Sequence, residues 1–301
     1  MPGPNRRQLI GLGLGPALLG GCTLQPDRDH TGPNAPRSQP LARPPRTAWV
    51  FSSGGPRGFV HVGVLKALDE LGLKPDVIVG ASAGAAVGVL HAAGRSGAEL
   101  EQLALALQPW RLGRLALQGE ERLSGDAIAG LVREHAGRDL LEQLPCPVVC
   151  VVQQLPQGGQ PAQVLGLNAG DLGLAVQAAC AIEGQFTPVR VNGLRLADAD
   201  LLMPLPVRLA RRLGAQRVLA VDASAHEDRA PAGSERYRPG DLRKRALTAP
   251  DAALADVLLH PEFGYWVSLS QEFRQRAMRA GYEAAMAQGE ALRALHAGAQ
   301  K

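Results

Sequence analysis

A five-residue turn constrains this chain more than any other stretch. Gly80-Ala81-Ser82-Ala83-Gly84 follows the apolar run Asp76-Val77-Ile78-Val79 and opens Ala85-Ala86-Val87-Gly88-Val89-Leu90-His91-Ala92-Ala93. The run reads as a buried strand and the small-residue stretch as a helix. A strand that becomes a helix across Gly-x-Ser-x-Gly turns so sharply that the serine hydroxyl is thrust out at the top of a sheet. The flanking glycines are required because helix and strand come too close there for side chains. The start of the helix then offers partial positive charge where an oxyanion would form. A tight turn carrying a structural serine satisfies the same five residues, so the rest of the chain has to decide.

From Thr47 onward, apolar runs alternate with amphipathic stretches. Residues 49–51 read as a first strand, ended by Ser52-Ser53-Gly54-Gly55-Pro56-Arg57-Gly58. Helical spacing over 59–71 puts Val64, Leu68 and Leu71 on one face, and Gly72 stops it in the manner of a C-cap. Strand 76–79 and helix 83–93 follow, then helices over 99–107 and 125–136 and a buried strand over 147–152. Residues 189–196 read as a hairpin turning at Asn192-Gly193. A helix over 206–213, a strand over 217–222 and an Ala-rich helix over 271–295 complete the series. This order predicts an α/β sandwich: a mostly parallel sheet flanked by helices. Residues 223–245 are polar and read as an exposed loop, and 246–301 as a helical completion of the same domain.

The first 46 residues read as lying outside that fold. Arg6-Arg7, the apolar segment 9–19 and Gly20-Gly21-Cys22 form a charged start, a stretch too short to span a bilayer, and a small-residue cleavage site. Gly20-Gly21-Cys22 resembles a bacterial lipoprotein box, which implies a signal peptide over 1–21 and a lipid on the Cys22 thiol. Thr23 at the next position favours the outer membrane by the same resemblance, and Arg6-Arg7 leaves both general and twin-arginine export open. Residues 22–46 are rich in Pro and Arg and read as a disordered tether. The net charge of +4 and the lack of basic runs interleaved with aromatics give no sign of nucleic-acid binding.

Three segments in order resemble the patatin-like phospholipases: Ser53-Gly54-Gly55-Pro56-Arg57-Gly58 with the helix after it, the Gly80–Gly84 turn, and Leu196-Ala197-Asp198-Ala199-Asp200-Leu201-Leu202-Met203-Pro204-Leu205-Pro206-Val207. The resemblance covers about 48–222. It implies the family's three-layer fold and a Ser-Asp dyad, with Ser82 as nucleophile and Asp198 as base. It also implies an oxyanion hole from Gly54, Gly55, Arg57 and Gly58, and membrane phospholipid or lysophospholipid as substrate. No metal or organic cofactor is needed for that chemistry. The chain departs from the pattern at Ser53, Ala199, Asp200, Met203 and Glu183. Along a strand Asp200 would point the same way as Asp198 and raise its pKa by like-charge repulsion.

Other readings stand beside this one. A histidine base would have to come from His61, His91, His226 or His260; His91 lies ~13 Å along the helix from Ser82 and is excluded by reach. A degenerate lipoprotein that binds lipid or protein is the second reading and a nucleotide-binding glycine loop the third. Cys146 and Cys150 sit ~13 Å apart if extended, beyond disulfide reach; a bridge from either to Cys180 stays open beside the plainer reading of small buried thiols. No His/Cys/Asp spacing along the chain has the look of a metal site.

Overall fold

Continuous apolar runs have no side to show to water, and the chain buries them at the centre of a mixed nine-stranded sheet. The computed structural model describes residues 28–108, 114–115 and 123–297. In order these form β1 (Asp29–His30), β2 (Thr47–Phe51), α1 (Phe59–Glu70), β3 (Val77–Ala81), α2 (Ala83–Ala92), α3 (Gly97–Ala106), β4 (Arg114–Leu115), β5 (Leu123–Ser124), α4 (Asp126–Ala136), β6 (Val148–Gln154) and β7 (Gln163–Leu167). They continue as α5 (Leu172–Ala179), β8 (Val189–Val191), β9 (Leu194–Asp198), α6 (Val207–Arg212), β10 (Arg217–Val221), α7 (Arg238–Ala252), β11 (Val257–Leu259), α8 (Gln271–Ala287) and α9 (Gly289–Ala297). Strands β6, β3, β2, β10 and β11 run parallel side by side. Strands β7 and β9 pair with β6 antiparallel, and the hairpin β8–β9 carries the sheet on to β1 at its edge.

Alternation along each strand divides the core into two sets. Trp49, Phe51, Ile78, Cys150 and Leu219 face one layer with helices α1, α2, α5, α8 and α9. Ala48, Val50, Val79, Val149 and Ala220 face the other, packed under Val207 and Ala210 of α6. Both faces are therefore covered, which gives the three-layer patatin-like α/β fold the sequence predicts. The hairpin turns as expected at Asn192-Gly193, both in the left-handed region with φ of 49° and 78°.

Three boundaries differ from the sequence reading. The supposed tether is part of the fold from residue 29: β1 pairs with β8, Arg37 bridges to Ala169, and Ala35 is buried. Two-residue pairing and three scattered buried residues, Ala35, Pro36 and Pro45, leave too little apolar pattern to be read in sequence. The last third of the supposed 223–245 loop is helix α7, which starts at Arg238 with Pro239 in its first turn. This helix hides only Thr248 and Asp251 and is held by ion pairs, Lys244–Asp200 at 2.7 Å, Arg245–Glu227 at 2.9 Å and Arg208–Asp251 at 2.8 Å. A helix docked by charge has no apolar stripe to announce it. The C-terminal part is also not purely helical, since β11 adds a parallel strand, and its last helix breaks into α8 and α9 at Gln288. Cys146, Cys150 and Cys180 are free thiols, as expected.

Candidate active site

Ser82 sits between β3 and α2 with φ 52° and ψ −125°, a conformation that non-glycine residues rarely adopt. The turn is imposed by packing. A Cβ on Gly84 would lie 2.5 Å from the Phe51 carbonyl oxygen, and one on Gly80 2.5 Å from the Gly84 carbonyl oxygen. Only glycine lets α2 rise this close over β2 and β3. Ser82 is 4% exposed.

Sheet register brings Asp198 to the same end. Ala81 pairs with Val151, and the next residue of β6, Val152, pairs with Asp198 on β9. Because β7 holds the other edge of β6 along residues 150–154, β3 and β9 share one edge, and their ends meet there with Ser82 beside Asp198. Asp198 is 2% exposed. Its Oδ1 accepts the Asp200 N–H at 2.9 Å, while Oδ2 is buried with no hydrogen-bond partner among the described residues. Burial pushes the Asp198 carboxyl up to about 7; the Ser82 hydroxyl opposes this and the Asp200 carboxylate adds to it.

Asp200 does not lie along the strand as its spacing predicts. It belongs to a 3₁₀ turn over Ala199–Leu201, so its carboxylate turns toward Lys244 of α7 and the Ser53 hydroxyl. Burial disfavours its charge, but the Lys244 ammonium at 2.7 Å and Ser53 hold its pKa below the ordinary carboxylate range. Its repulsion of Asp198 has the expected sign and ranks behind burial. Two departures from the family pattern, Ser53 and Asp200, thus answer each other across the site. Ala199 costs no backbone strain, since the only described non-glycine residues at positive φ are Ser82 and Asn192. Glu183 accepts a hydrogen bond from Gln153 of β6, and Met203 is buried beneath the turn.

The glycine loop lies against the start of α2, where a Cβ on Gly58 would meet the Ala83 Cβ at 2.5 Å. Gly55 needs its left-handed φ of 51°, and Pro56 has no N–H. The Arg57 N–H already donates to the Gly54 carbonyl at 3.0 Å, and Gly58 closes the 3₁₀ turn over Gly55–Gly58, so of the expected donors the Gly54 and Gly55 amides are left and Arg57 and Gly58 are not. The Arg57 side chain also turns away from a role as free charge. Its Nε donates to the Ala223 carbonyl at 2.7 Å, its Nη1 to the Gly264 carbonyl at 2.6 Å, and it stacks on Phe263. It anchors the loop.

The four histidines make contacts elsewhere. The His61 ring faces the Ser52 carbonyl at 2.9 Å, and burial pushes its pKa down to about 4, leaving it neutral. His91 stacks on Trp49 and lies 3.7 Å from Asp69. His226 and His260 stack on each other beside Asp222. Cys22 lies outside the described residues.

A strained, buried serine on a strand-to-helix elbow, a buried carboxylate and a glycine loop held against the elbow thus come together at one end of the sheet. Residues 49–211 match the family model described as Patatin-like phospholipase, over half of the 301-residue chain, and the chain belongs to that family. It is 36% identical over 186 residues to an uncharacterized NTE family protein of Mycobacterium tuberculosis, covering 61% of this chain and 50% of that one. It is 28% identical over 191 residues to human Patatin-like phospholipase domain-containing protein 6, covering 60% of this chain and 14% of that one. The crystal structure of VipD from Legionella pneumophila aligns with 87% of this chain and 70% of that one at 16% identity and a TM-score of 0.46. The chain spans about half the length of its mycobacterial relatives.

Proposed function

We propose that the protein hydrolyses acyl esters of membrane lipids, phospholipids or lysophospholipids, with Ser82 attacking and Asp198 as base. The observation that carries this is a buried carboxylate held near neutral pH beside a strained serine. A base works best when its pKa matches the working pH. At neutral pH the Asp198 Oδ2, unpartnered, takes the Ser82 proton as Oγ forms the bond to the acyl carbon. The Gly54 and Gly55 amides and the start of α2 stabilise the oxyanion, and the proton then passes to the departing alkoxide. The acyl-serine is released by water activated on the same carboxylate. Fatty-acid release from defined phospholipid and lysophospholipid vesicles is the expected result. A well-folded protein that liberates no fatty acid from either, and does not cleave a short-chain ester, favours the non-catalytic lipid-binding reading instead.

An apolar rim supports a lipid surface as the place of work. Trp266 and Val267 are 50% and 55% exposed, with Tyr237 and Leu242 also open. They begin two residues beyond Gly264, whose carbonyl holds Arg57, so the rim adjoins the oxyanion loop. Aromatic and aliphatic side chains at such a rim bury area in the lipid interface, about 1.5–3 kcal/mol for a large one fully buried. The double variant Trp266→Ser/Val267→Ser is expected to lose on the order of 10-fold in rate on vesicles. Its rate on a soluble short-chain ester stays at the wild-type level; an equal loss on both substrates overturns the role of the rim.

The anchor belongs to the same proposal. With a lipid on Cys22, only seven residues lead to Asp29 in β1, a reach of about 25 Å when extended. Such a tether holds the domain against an envelope membrane, the outer membrane by the Thr23 reading, and raises the local substrate concentration.

A further inference from the structure

Beyond the ends of β10 and β11, three side chains converge that the proposed acyl chemistry does not use. Val221 pairs with Leu259, so the next residues, Asp222 and His260, leave the sheet side by side, and the Asp222 N–H donates to the Leu259 carbonyl at 2.9 Å. His226 returns over them four residues after Asp222. His260 Nδ1 lies 3.6 Å and His226 Nε2 3.9 Å from Asp222 Oδ2. One donor atom from each residue falls within 4.8 Å of the other two.

These spacings are too long for hydrogen bonds, whose heavy atoms approach to about 2.7–3.2 Å. They are close to the edges of a coordination tetrahedron, since arms of about 2.0–2.1 Å give edges of about 3.4 Å. His260 Nδ1 is buried and makes no hydrogen bond among the described residues, an orphaned nitrogen that a ligand would satisfy. Asp222 is 3% exposed, and its Oδ1 is fixed by the Ser224 N–H at 2.9 Å. Burial disfavours its charge, but the two imidazoles and that N–H keep it ionised. Neighbouring cations are engaged elsewhere, Arg57 on carbonyls and Arg245 on Glu227. The imidazole side chains retain 24% and 17% exposure, which leaves a way in for an ion.

We propose that Asp222, His226 and His260 form a site for one divalent transition ion of the zinc class, with the fourth position left to water. Two imidazoles and one carboxylate suit zinc, cobalt or nickel and not calcium or magnesium, which take oxygen ligands. The rings now stack with centroids 3.8 Å apart and 15° between planes, so they splay about their side-chain torsions to converge on the ion. The ion's role is positional. Ala223 follows Asp222 and Gly264 comes four residues after His260, and both carbonyls hold Arg57. A metal bridging the two segments therefore braces the anchor of the glycine loop from behind.

The test is calorimetric titration of the metal-free, untagged full chain with Zn²⁺, and with Co²⁺ read by visible absorption. The expected result is one saturable equivalent, a rise in Tm with Zn²⁺, and Co²⁺ bands of four-coordinate geometry. The double variant His226→Ala/His260→Ala is expected to bind at least about 100-fold more weakly, because even outer partners of metal ligands are worth 10–100-fold. The single variant His226→Gln, changed at a part-exposed position, is expected to weaken binding in the same direction with its metal-free Tm unchanged. Absence of a saturable site in the wild type overturns the proposal. So does retention of the site in the double variant, or Mg²⁺ competing on equal terms.

Discussion

Replacing Asp198 with asparagine is expected to cost at least about 10³-fold in hydrolysis while making the protein more stable at pH 8. Both effects come from one buried carboxyl. Its pKa stands at about 7 in the folded protein against an ordinary 3.8, and burial is the first cause. A raised pKa means that the folded state holds its proton more tightly than the unfolded chain does. The resulting stability is complete below about pH 4, declines from there, and is gone once the pH has passed 7. A gap of three units corresponds to about 4 kcal/mol at most between the two ends of that window. Asparagine keeps an oxygen for the Asp200 N–H but carries no charge to bury. The variant should therefore gain on the wild type from pH 4 to pH 8 in denaturant titrations, with the two converging at the acid end. Activity follows the opposite course, because only the ionised form accepts the Ser82 proton. The wild-type rate rises through about pH 7, and the small residual rate of the variant lacks that step. An asparagine variant that keeps the wild-type rate, or a pH profile flat across 6–8, removes Asp198 from the role of base.

The parts of this site that could be read in advance are those whose cause is local. A serine elbow needs glycines at fixed places for steric reasons, so Gly80 and Gly84 announce the turn at Ser82, and the loop before it and Asp198 after it give that turn a chemical meaning. Strands β2, β3, β6 and β10 are equally legible, because both faces are buried and each is built on a continuous apolar run. What escaped depends on contacts made across the fold. Helix α5, Leu172–Ala179, is apolar nearly all round and so lacks the stripe that marks an amphipathic helix. Helix α7 is docked by charge pairs and buries only Thr248 and Asp251, so it carries no apolar stripe facing the core. The spacing of Asp198 and Asp200 suggests two carboxylates on one strand face, and only the 3₁₀ turn separates them. Lys244 carries no local mark of its place beside Asp200. The same holds for Asp222, His226 and His260. The i,i+4 pair is visible in the chain, but the third member arrives through the pairing of β10 with β11, 34 residues later.

Ser82→Ala is expected to lower hydrolysis by on the order of 10⁶-fold and to end labelling by a fluorophosphonate probe. Loss of a nucleophile leaves only oriented binding and an oxyanion hole, with nothing to form the acyl intermediate. Stability gives this prediction a second, independent edge. Serine holds φ 52° and ψ −125° here, and alanine keeps the same Cβ and the same strain. Backbone of this kind costs about 1–3 kcal/mol and persists where the surroundings enforce it. The Phe51 and Gly84 carbonyls that crowd the elbow are such an enforcement. Ser82→Gly removes the Cβ and should be as inactive as the alanine variant yet more stable than it, by about 1 kcal/mol after the entropy cost of glycine in the unfolded chain. The two variants part the nucleophile from the turn. If glycine proves less stable than alanine, the elbow is relaxed and its geometry is no store of strain. If the alanine variant still takes the probe, the nucleophile lies elsewhere, and the glycines around Ser82 serve only to let a helix cross a sheet at close range.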